Sequence, residues 1–421
     1  MGVVSRLAQP SSTQSPALVR SLTLAHATLY GLGVTIGAGI YVLVGAAAAQ
    51  GGMHAPLAFI IAAVLMALSA ASFAELAGRF PVAAGEAAYA RAAFGSHHLA
   101  LAVGLLVIGI AVVSAAAISI GSAGYLSVFI NLPQPLLVAG VVAAMATTAA
   151  WGIKQSVTFA GIMTVIEIGG LLLLVIAAIV ADVPVVTRLP EIIPHSFSAS
   201  LVAGLIGTVL LAVFAFIGFE SLANVAEEVR EPHRTLPRAI FLTLLIATLL
   251  YVAVVWIALV AVGPAQLARS PAPLALVFER LTGASPLTMS LIATVATLNG
   301  IIVQIIMASR VLYGLASQGD MPAVFSQVYR RTHTPLAATV TVSTLILFLA
   351  LLVPLHDLAG VTARLTLVVF AIVNLALVVI KWRALSLPTI GFVAPLWVPS
   401  AGAATCILLL ALDIWTIFSA A

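Results

Sequence analysis

From Leu24 to Phe418 the chain is a succession of apolar segments joined by short polar turns. A membrane-crossing helix needs about 20 mostly apolar residues to span the hydrocarbon layer. About 11 segments meet that rule. They fall near 24–50, 55–79, 98–130, 135–152, 156–181, 201–228, 236–262, 286–317, 336–354, 359–380 and 394–418. Inside a bilayer every backbone N–H and C=O must find a partner within the protein, so segments of this kind are expected to be helical. The expected fold class is an all-α polytopic membrane protein. Composition agrees, because only 7% of the residues are charged and 63% are hydrophobic. The surface of a soluble domain needs far more charge, and a mean hydropathy of +1.23 belongs to the membrane class.

The few charges set an orientation. Cationic residues collect in cytoplasmic loops. With the N-terminus in the cytoplasm, the inner loops hold Arg79, Arg91, Lys154, Arg230, Arg234, Arg238, Arg330, Arg331, Lys381 and Arg383. The outer side holds Arg188, Arg269 and Arg280, with Arg364 at its edge. The opposite orientation reverses this bias. The net charge of +4 therefore reads as a membrane topology signal, and no basic tract with interleaved aromatics points to nucleic acid. The single cysteine, Cys406, excludes an intrachain disulfide and a Cys-cluster metal site. Residues 1–20 contain Arg6 and Arg20, are rich in Ser and Pro, and lack an apolar core; they are expected to form a disordered cytoplasmic tail and not a signal peptide.

Two spans are interrupted. The first contains Gly-Leu-Gly-Val-Thr-Ile-Gly-Ala-Gly-Ile-Tyr at 31–41, and the sixth contains Phe-Ala-Phe-Ile-Gly-Phe-Glu at 214–220. Spans five apart cross the membrane in opposite directions. That is the pattern of two inverted five-helix halves whose broken helices meet at mid-bilayer. The expected division is 21–181 for one half, 201–381 for the other, and 386–421 for an additional C-terminal helix.

An unwound stretch at that depth offers its backbone to a ligand. Around Thr35 to Gly39, free N–H groups at the positive end of the following half-helix suit a carboxylate. Gly37 and Gly39 allow close approach. Around Phe214 to Gly218, free carbonyls at the negative end of a half-helix suit an ammonium group. Together the two ends complement an α-amino acid zwitterion. Gly33 and Gly37 also make a small-xxx-small pair, which in many membrane helices serves only packing.

At these residues the chain resembles the amino acid–polyamine–organocation (APC) superfamily of transporters. The matching pieces are GVTIGAGIY at 33–41, SFAELAGRFPVAAGEAAYARAAFG at 72–95, FAFIGFESLANVAEEVREPHRTLPRAI at 214–240 and ASRVLYGLASQGDMPAVFSQVYRRTHTP at 308–335. The resemblance implies a LeuT-type 5+5 inverted-repeat fold with helices 1 and 6 broken. It also implies alternating access in the cytoplasmic (inner) membrane with no cofactor. It implies that the backbone at Ile36, Gly37, Ala38 and Gly39 receives the substrate carboxylate, and that at Phe214, Ala215 and Ile217 its amine. Family members usually have about 12 spans, so a count near 11 departs at the C-terminus.

No G-x-x-x-x-G-K-[ST] loop is present to bind a nucleotide, so an ion gradient is the expected energy source. Ionisable groups within spans are costly and mark function. Glu167, in the middle of the fifth span, is the candidate proton carrier. Proton-coupled relatives carry a lysine in this region, and the glutamate here is a departure. The competing role for Glu167 is a permanently protonated structural carboxyl. Glu220 is expected to anchor the half-helix after the second break. Glu75 and Arg79, at i and i+4, are expected to pair or to gate the inner mouth. Asn299, Gln304 and Ser309 are expected to line the cavity or to bond between helices. Asp413 is expected at the interface. The sequence thus points to a transporter of a small, neutral amino acid, coupled to protons. An exchanger of amino acids, amines or polyamines and a non-transporting sensor are the alternatives. No H-E-x-x-H or G-x-S-x-G motif suggests an enzyme.

Overall fold

The computed structural model describes residues 22–37, 39–80, 85–151, 157–196, 198–329, 332, 334–383 and 391–420. The expected tail at 1–20, Ala38, Lys154, Arg330 and Arg331 lie outside them. Fifteen α-helices follow one another: α1 (Leu24–Ile36), α2 (Gly39–Gly51), α3 (Ala55–Arg79), α4 (Gly85–Phe94), α5 (His97–Leu126), α6 (Gln134–Trp151), α7 (Val157–Val180), α8 (Ala199–Phe216), α9 (Pro232–Ala261), α10 (Pro264–Arg269), α11 (Pro273–Thr282), α12 (Leu287–Ser317), α13 (Leu336–Leu352), α14 (Leu355–Trp382) and α15 (Trp397–Ala420). Among the described residues, nine helical stretches are long and apolar enough to cross a membrane, and α1 and α13 are shorter apolar helices. One stretch, Gly39–Arg79, folds back on itself at a 3-10 turn over Gly52–His54. With α1 and α2 taken as one broken span, the described residues make eleven crossings.

Contacts at the helix ends fix the directions. Near the end of α2, the Gln50 amide bonds the His356 ring at the start of α14 (2.9 Å). The ring of His54 bonds the Ile192 carbonyl, in the loop before α8. At the opposite face, the Arg230 N–H donates to the Leu22 carbonyl just ahead of α1 (2.9 Å). The last turn of α3 meets the end of α14 there, through Glu75 and Lys381. Thus α2 and α3 cross in opposite senses, as do α1 and α14. The face holding Leu22 also carries Arg79, Arg230, Arg234, Arg238, Lys381 and Arg383, and is called the basic face below.

The interior is built from α3, α5, α8, α9, α12 and α14, whose small residues let backbones approach. α5 packs against both α12 and α14, and α3 against both α8 and α9. One buried polar group here joins two helices. Asn374 of α14 accepts from the Ser72 hydroxyl (2.6 Å) and donates to Ser69 Oγ (2.9 Å) and to the Phe370 carbonyl (2.8 Å). α15 lies outside this group, against α14 and α3. The side chains left exposed are largely apolar, such as Val64, Ile176, Leu249 and Phe348, as a lipid-facing surface requires.

Candidate functional site between two broken helices

The first interruption is a break between two α-helices. The Gly37 N–H closes α1 by donating to the Gly33 carbonyl (3.2 Å), and α2 begins at Gly39. An α-helix leaves its first N–H groups without an intrahelical acceptor, so the donors at this site belong to the first turn of α2. Ile36 and Gly37 themselves finish the preceding helix. Ala38 lies outside the described residues.

The second interruption has a different form. α8 ends at Phe216, and Ile217 is extended (φ −61°, ψ 130°) with its N–H on the Phe214 carbonyl (3.2 Å). Gly218 then takes φ +138°, a region that side chains rarely enter. From Phe219 to Glu228 the chain continues as a 3-10 helix, where an α-helical half was expected. Ten residues is long for this tighter winding. At its start, Glu220 Oε2 accepts from the Gly218 N–H (2.8 Å).

The two breaks touch. A Cβ added to Gly218 falls 2.6 Å from Thr35 N and 2.7 Å from Thr35 Cα, and one added to Gly39 falls 2.9 Å from the Ala215 carbonyl oxygen. Only glycine permits this backbone-to-backbone approach. One hydroxyl holds both sides together: Tyr251 of α9 donates toward the Thr35 carbonyl (2.8 Å) and the Ala215 carbonyl (3.1 Å). Phe59 and Phe216 pack edge-on or tilted against the Tyr251 ring and fix it. Phe214, Ala215 and Ile217 are all buried here.

Glu167 joins the same place. It is fully buried in α7, and both of its carboxylate oxygens lie 3.2 Å from the position a Gly37 Cβ would take. Asn299 of α12 donates to Oε1 (3.1 Å), while Oε2 has no hydrogen-bond partner among the described residues. The Glu167 backbone is held as well, because the Tyr41 hydroxyl of α2 donates to its carbonyl (2.6 Å). The Tyr125 hydroxyl of α5 in turn donates to the Tyr41 carbonyl (2.6 Å). A carboxyl, two interrupted backbones and a set of tyrosine struts thus converge from six helices.

A family model described as amino acid permease matches residues 22–421. The chain belongs to the amino acid permease family. It is 30% identical over 396 residues to a branched-chain amino acid permease of Bacillus subtilis, covering 88% of this chain and 83% of that one. It is also 30% identical over 387 residues to a vacuolar cationic amino acid transporter of Arabidopsis thaliana, covering 87% of this chain and 60% of the longer plant protein. A methylthioribose transporter of Bacillus subtilis is 25% identical over 398 residues, with 88% and 83% covered.

In this permease Glu75 and Arg79 pair as their spacing suggests (2.5 Å), but as part of a larger cluster. Glu75 Oε2 also meets Lys381 Nζ (2.8 Å) and the Ala394 N–H (2.8 Å). The cluster ties α3, α14 and the approach to α15 together at the basic face. Asp413 is likewise not a free interfacial group. It is 5% exposed and takes Arg364 Nε (2.5 Å) and Nη2 (3.3 Å). Of the polar residues expected in the eighth span, Asn299 reaches the site, whereas the Ser309 hydroxyl bonds its own helix at Ile305. Tyr251 and Tyr41 were missed. Their only signal in the sequence is a hydroxyl in the middle of an apolar span, where it must find an acceptor.

Proposed function

We propose that this permease carries a small, neutral amino acid across the cytoplasmic membrane together with a proton, by alternating access around the two breaks. The observation that carries the reading is the junction of the breaks beside the Glu167 carboxyl. The first turn of α2 offers amide hydrogens and a positive helix end to the substrate carboxylate. The end of α8, at Phe214, Ala215 and Ile217, offers carbonyl oxygens to its ammonium group.

Glu167 makes the coupling. Its carboxyl lies against the break where the substrate carboxylate is to sit. Two carboxylates side by side in a site of low dielectric repel strongly. Substrate therefore binds with a proton on Glu167, and the two are carried together. Once that proton is bound, Asn299 faces the site, and the other carboxyl at the junction, Glu220, is engaged by the Gly218 N–H. This favours a neutral substrate, in keeping with the relative named for branched-chain amino acids. Five spans in each of 21–181 and 201–381 form inverted halves that rock about this centre, with 386–421 as an added helix. The basic face is cytoplasmic, following the bias of Lys and Arg, and the N-terminus lies on that side.

The test is uptake into proteoliposomes under an imposed pH gradient, with branched-chain amino acids, alanine, lysine, arginine and methylthioribose as candidates. One proton per substrate gives about tenfold accumulation per pH unit. Wild type should accumulate a neutral amino acid to that extent. Glu167→Gln should equilibrate the same substrate without accumulating it. Accumulation by the variant with an unchanged pH profile removes Glu167 from the coupling. Uptake that needs substrate inside the vesicles identifies an exchanger, and uptake of methylthioribose alone changes the substrate class.

A further inference from the structure

A groove of about 570 Å³ opens at the basic face, away from the two breaks. Leu24 of α1, Phe241 and Leu245 of α9, and Phe392 line it, together with His233, Arg234 and Arg238. Phe241 and Phe392 pack edge to face (5.4 Å, 71°). We propose that this groove binds an anionic phospholipid, with its phosphate on the two arginines and an acyl chain along the apolar wall.

Sequence and helix geometry produce the arrangement. Arg234 and Arg238 are four residues apart in the first turns of α9 and so share one face. The following residues on that side, Leu242, Leu245 and Leu249, are exposed. A cationic end thus continues directly into an apolar stripe. The cations are available. Arg238 makes no hydrogen bond or ion pair among the described residues, and Arg234 has only Glu231 at 3.8 Å, with both side chains about two-thirds exposed. By contrast, Arg79 and Lys381 on the same face are satisfied by buried Glu75. Guanidinium groups bind phosphate oxygens bidentately, and basic pockets between helices at the cytoplasmic side hold anionic headgroups.

Charge also selects the occupant. Residues 1–20, which precede α1, carry Arg6 and Arg20 and no Asp or Glu, and residues 384–390, which precede Gly391, carry no charge. Neither segment contains an acidic side chain. A zwitterionic lipid brings an ammonium group along with its phosphate. A lipid with net negative charge fits best. Because Leu24 opens the inner half of the first broken span, a bound lipid bears on a segment that must move during transport. The assignment does not depend on the identity of the substrate.

The experiment is titration of the delipidated, detergent-solubilised full chain with phosphatidylglycerol or phosphatidylcholine, read by native mass spectrometry. Two cations at the headgroup level predict about thirtyfold tighter binding of phosphatidylglycerol. The Arg234→Ala/Arg238→Ala double variant should lose that preference, and Arg269→Ala/Arg280→Ala, on the opposite face, should keep it. If the double variant does not fold, Arg238→Gln alone should weaken the preference about fivefold. Equal affinity for the two lipids in wild type, or a preference that survives in the variant, overturns the proposal. Inorganic phosphate displacing phosphatidylglycerol at equal concentration also overturns it, by showing that the acyl chain contributes nothing.

Discussion

The two breaks interrupt the backbone at the same place in the molecule but are supported differently. At the first, the side-chain supports among the described residues come from other helices: Tyr251 from α9 on the Thr35 carbonyl, Glu167 from α7 beside Gly37, and Tyr125 from α5 on the Tyr41 carbonyl. The second shares Tyr251, which also reaches the Ala215 carbonyl, but has in addition a support of its own, as Glu220 caps the Gly218 N–H two residues before it. The difference assigns them different work. A break capped by its own carboxylate is a hinge whose shape is kept whether or not a ligand is present. A break supported only from outside changes its surroundings whenever α5, α7 or α9 shifts. The first break is therefore the one suited to sense substrate and proton, and the second the one suited to bend.

The hinge assignment is broken most directly at Gly218. Gly218→Ala places a Cβ in a positive-φ conformation and within 2.6 Å of the Thr35 backbone. Strain and overlap together should cost about 4 kcal/mol. The expected result is loss of uptake and a large fall in thermal stability. Normal uptake by this variant would show that the breaks need not touch. Gly161→Ala, which meets nothing within 4 Å, is the matched control and should leave both readings unchanged.

A smaller effect is expected at Glu86, in α4 at the basic face and within electrostatic reach of Glu220. Burial pushes the Glu86 carboxyl from 4.5 up to about 7. A carboxyl raised in this way favours the fold while protonated. That contribution is complete below about pH 4.5 and is lost as the pH rises to about 7. The loss is on the order of 3 kcal/mol at most. The apparent unfolding temperature of wild type should fall between these limits, and that of Glu86→Gln should fall less. Parallel pH profiles would mean that Glu86 carries no such burden.

Glu220→Ala tests self-capping. It leaves the Gly218 N–H without its partner, at a cost of about 2 kcal/mol, and should lower stability more than substrate affinity. The reverse outcome would place Glu220 at the ligand. The smallest effect is expected from Tyr251→Phe, which removes one shared hydroxyl worth about 1 kcal/mol while keeping the ring among Phe59 and Phe216. If the first break senses substrate, this variant should weaken binding in a thermal-shift titration several-fold with little change in the stability of the free protein.

Much of this architecture was legible in the sequence because the bilayer simplifies the reading. The third span, expected near 98–130, is α5 at His97–Leu126, and the second, at 55–79, is α3 without adjustment. Both breaks also fall where glycine interrupts an apolar run. The polar partners were harder. Arg364 and Asp413 are 49 residues apart, and Glu75 and Lys381 lie at opposite ends of the chain's order. Nothing in local pattern joins such pairs, since a lone charge near a span end reads the same whether it faces water or another helix. The 3-10 winding after Gly218 was missed for a related reason: the sequence marks where an α-helix stops more clearly than what replaces it.

By itself the sequence determined that the chain crosses a membrane many times, where two of those crossings open, and which face is basic. Those features follow from segment length, glycine and charge, and each acts within a few residues. The spacing of the spans led to the expectation that the two openings meet, but only the tertiary structure decided that Tyr251 spans them and that Glu167 comes to rest beside Gly37. Such contacts depend on how distant helices pack. Packing is fixed by the fit of whole surfaces, which no single stretch of sequence contains.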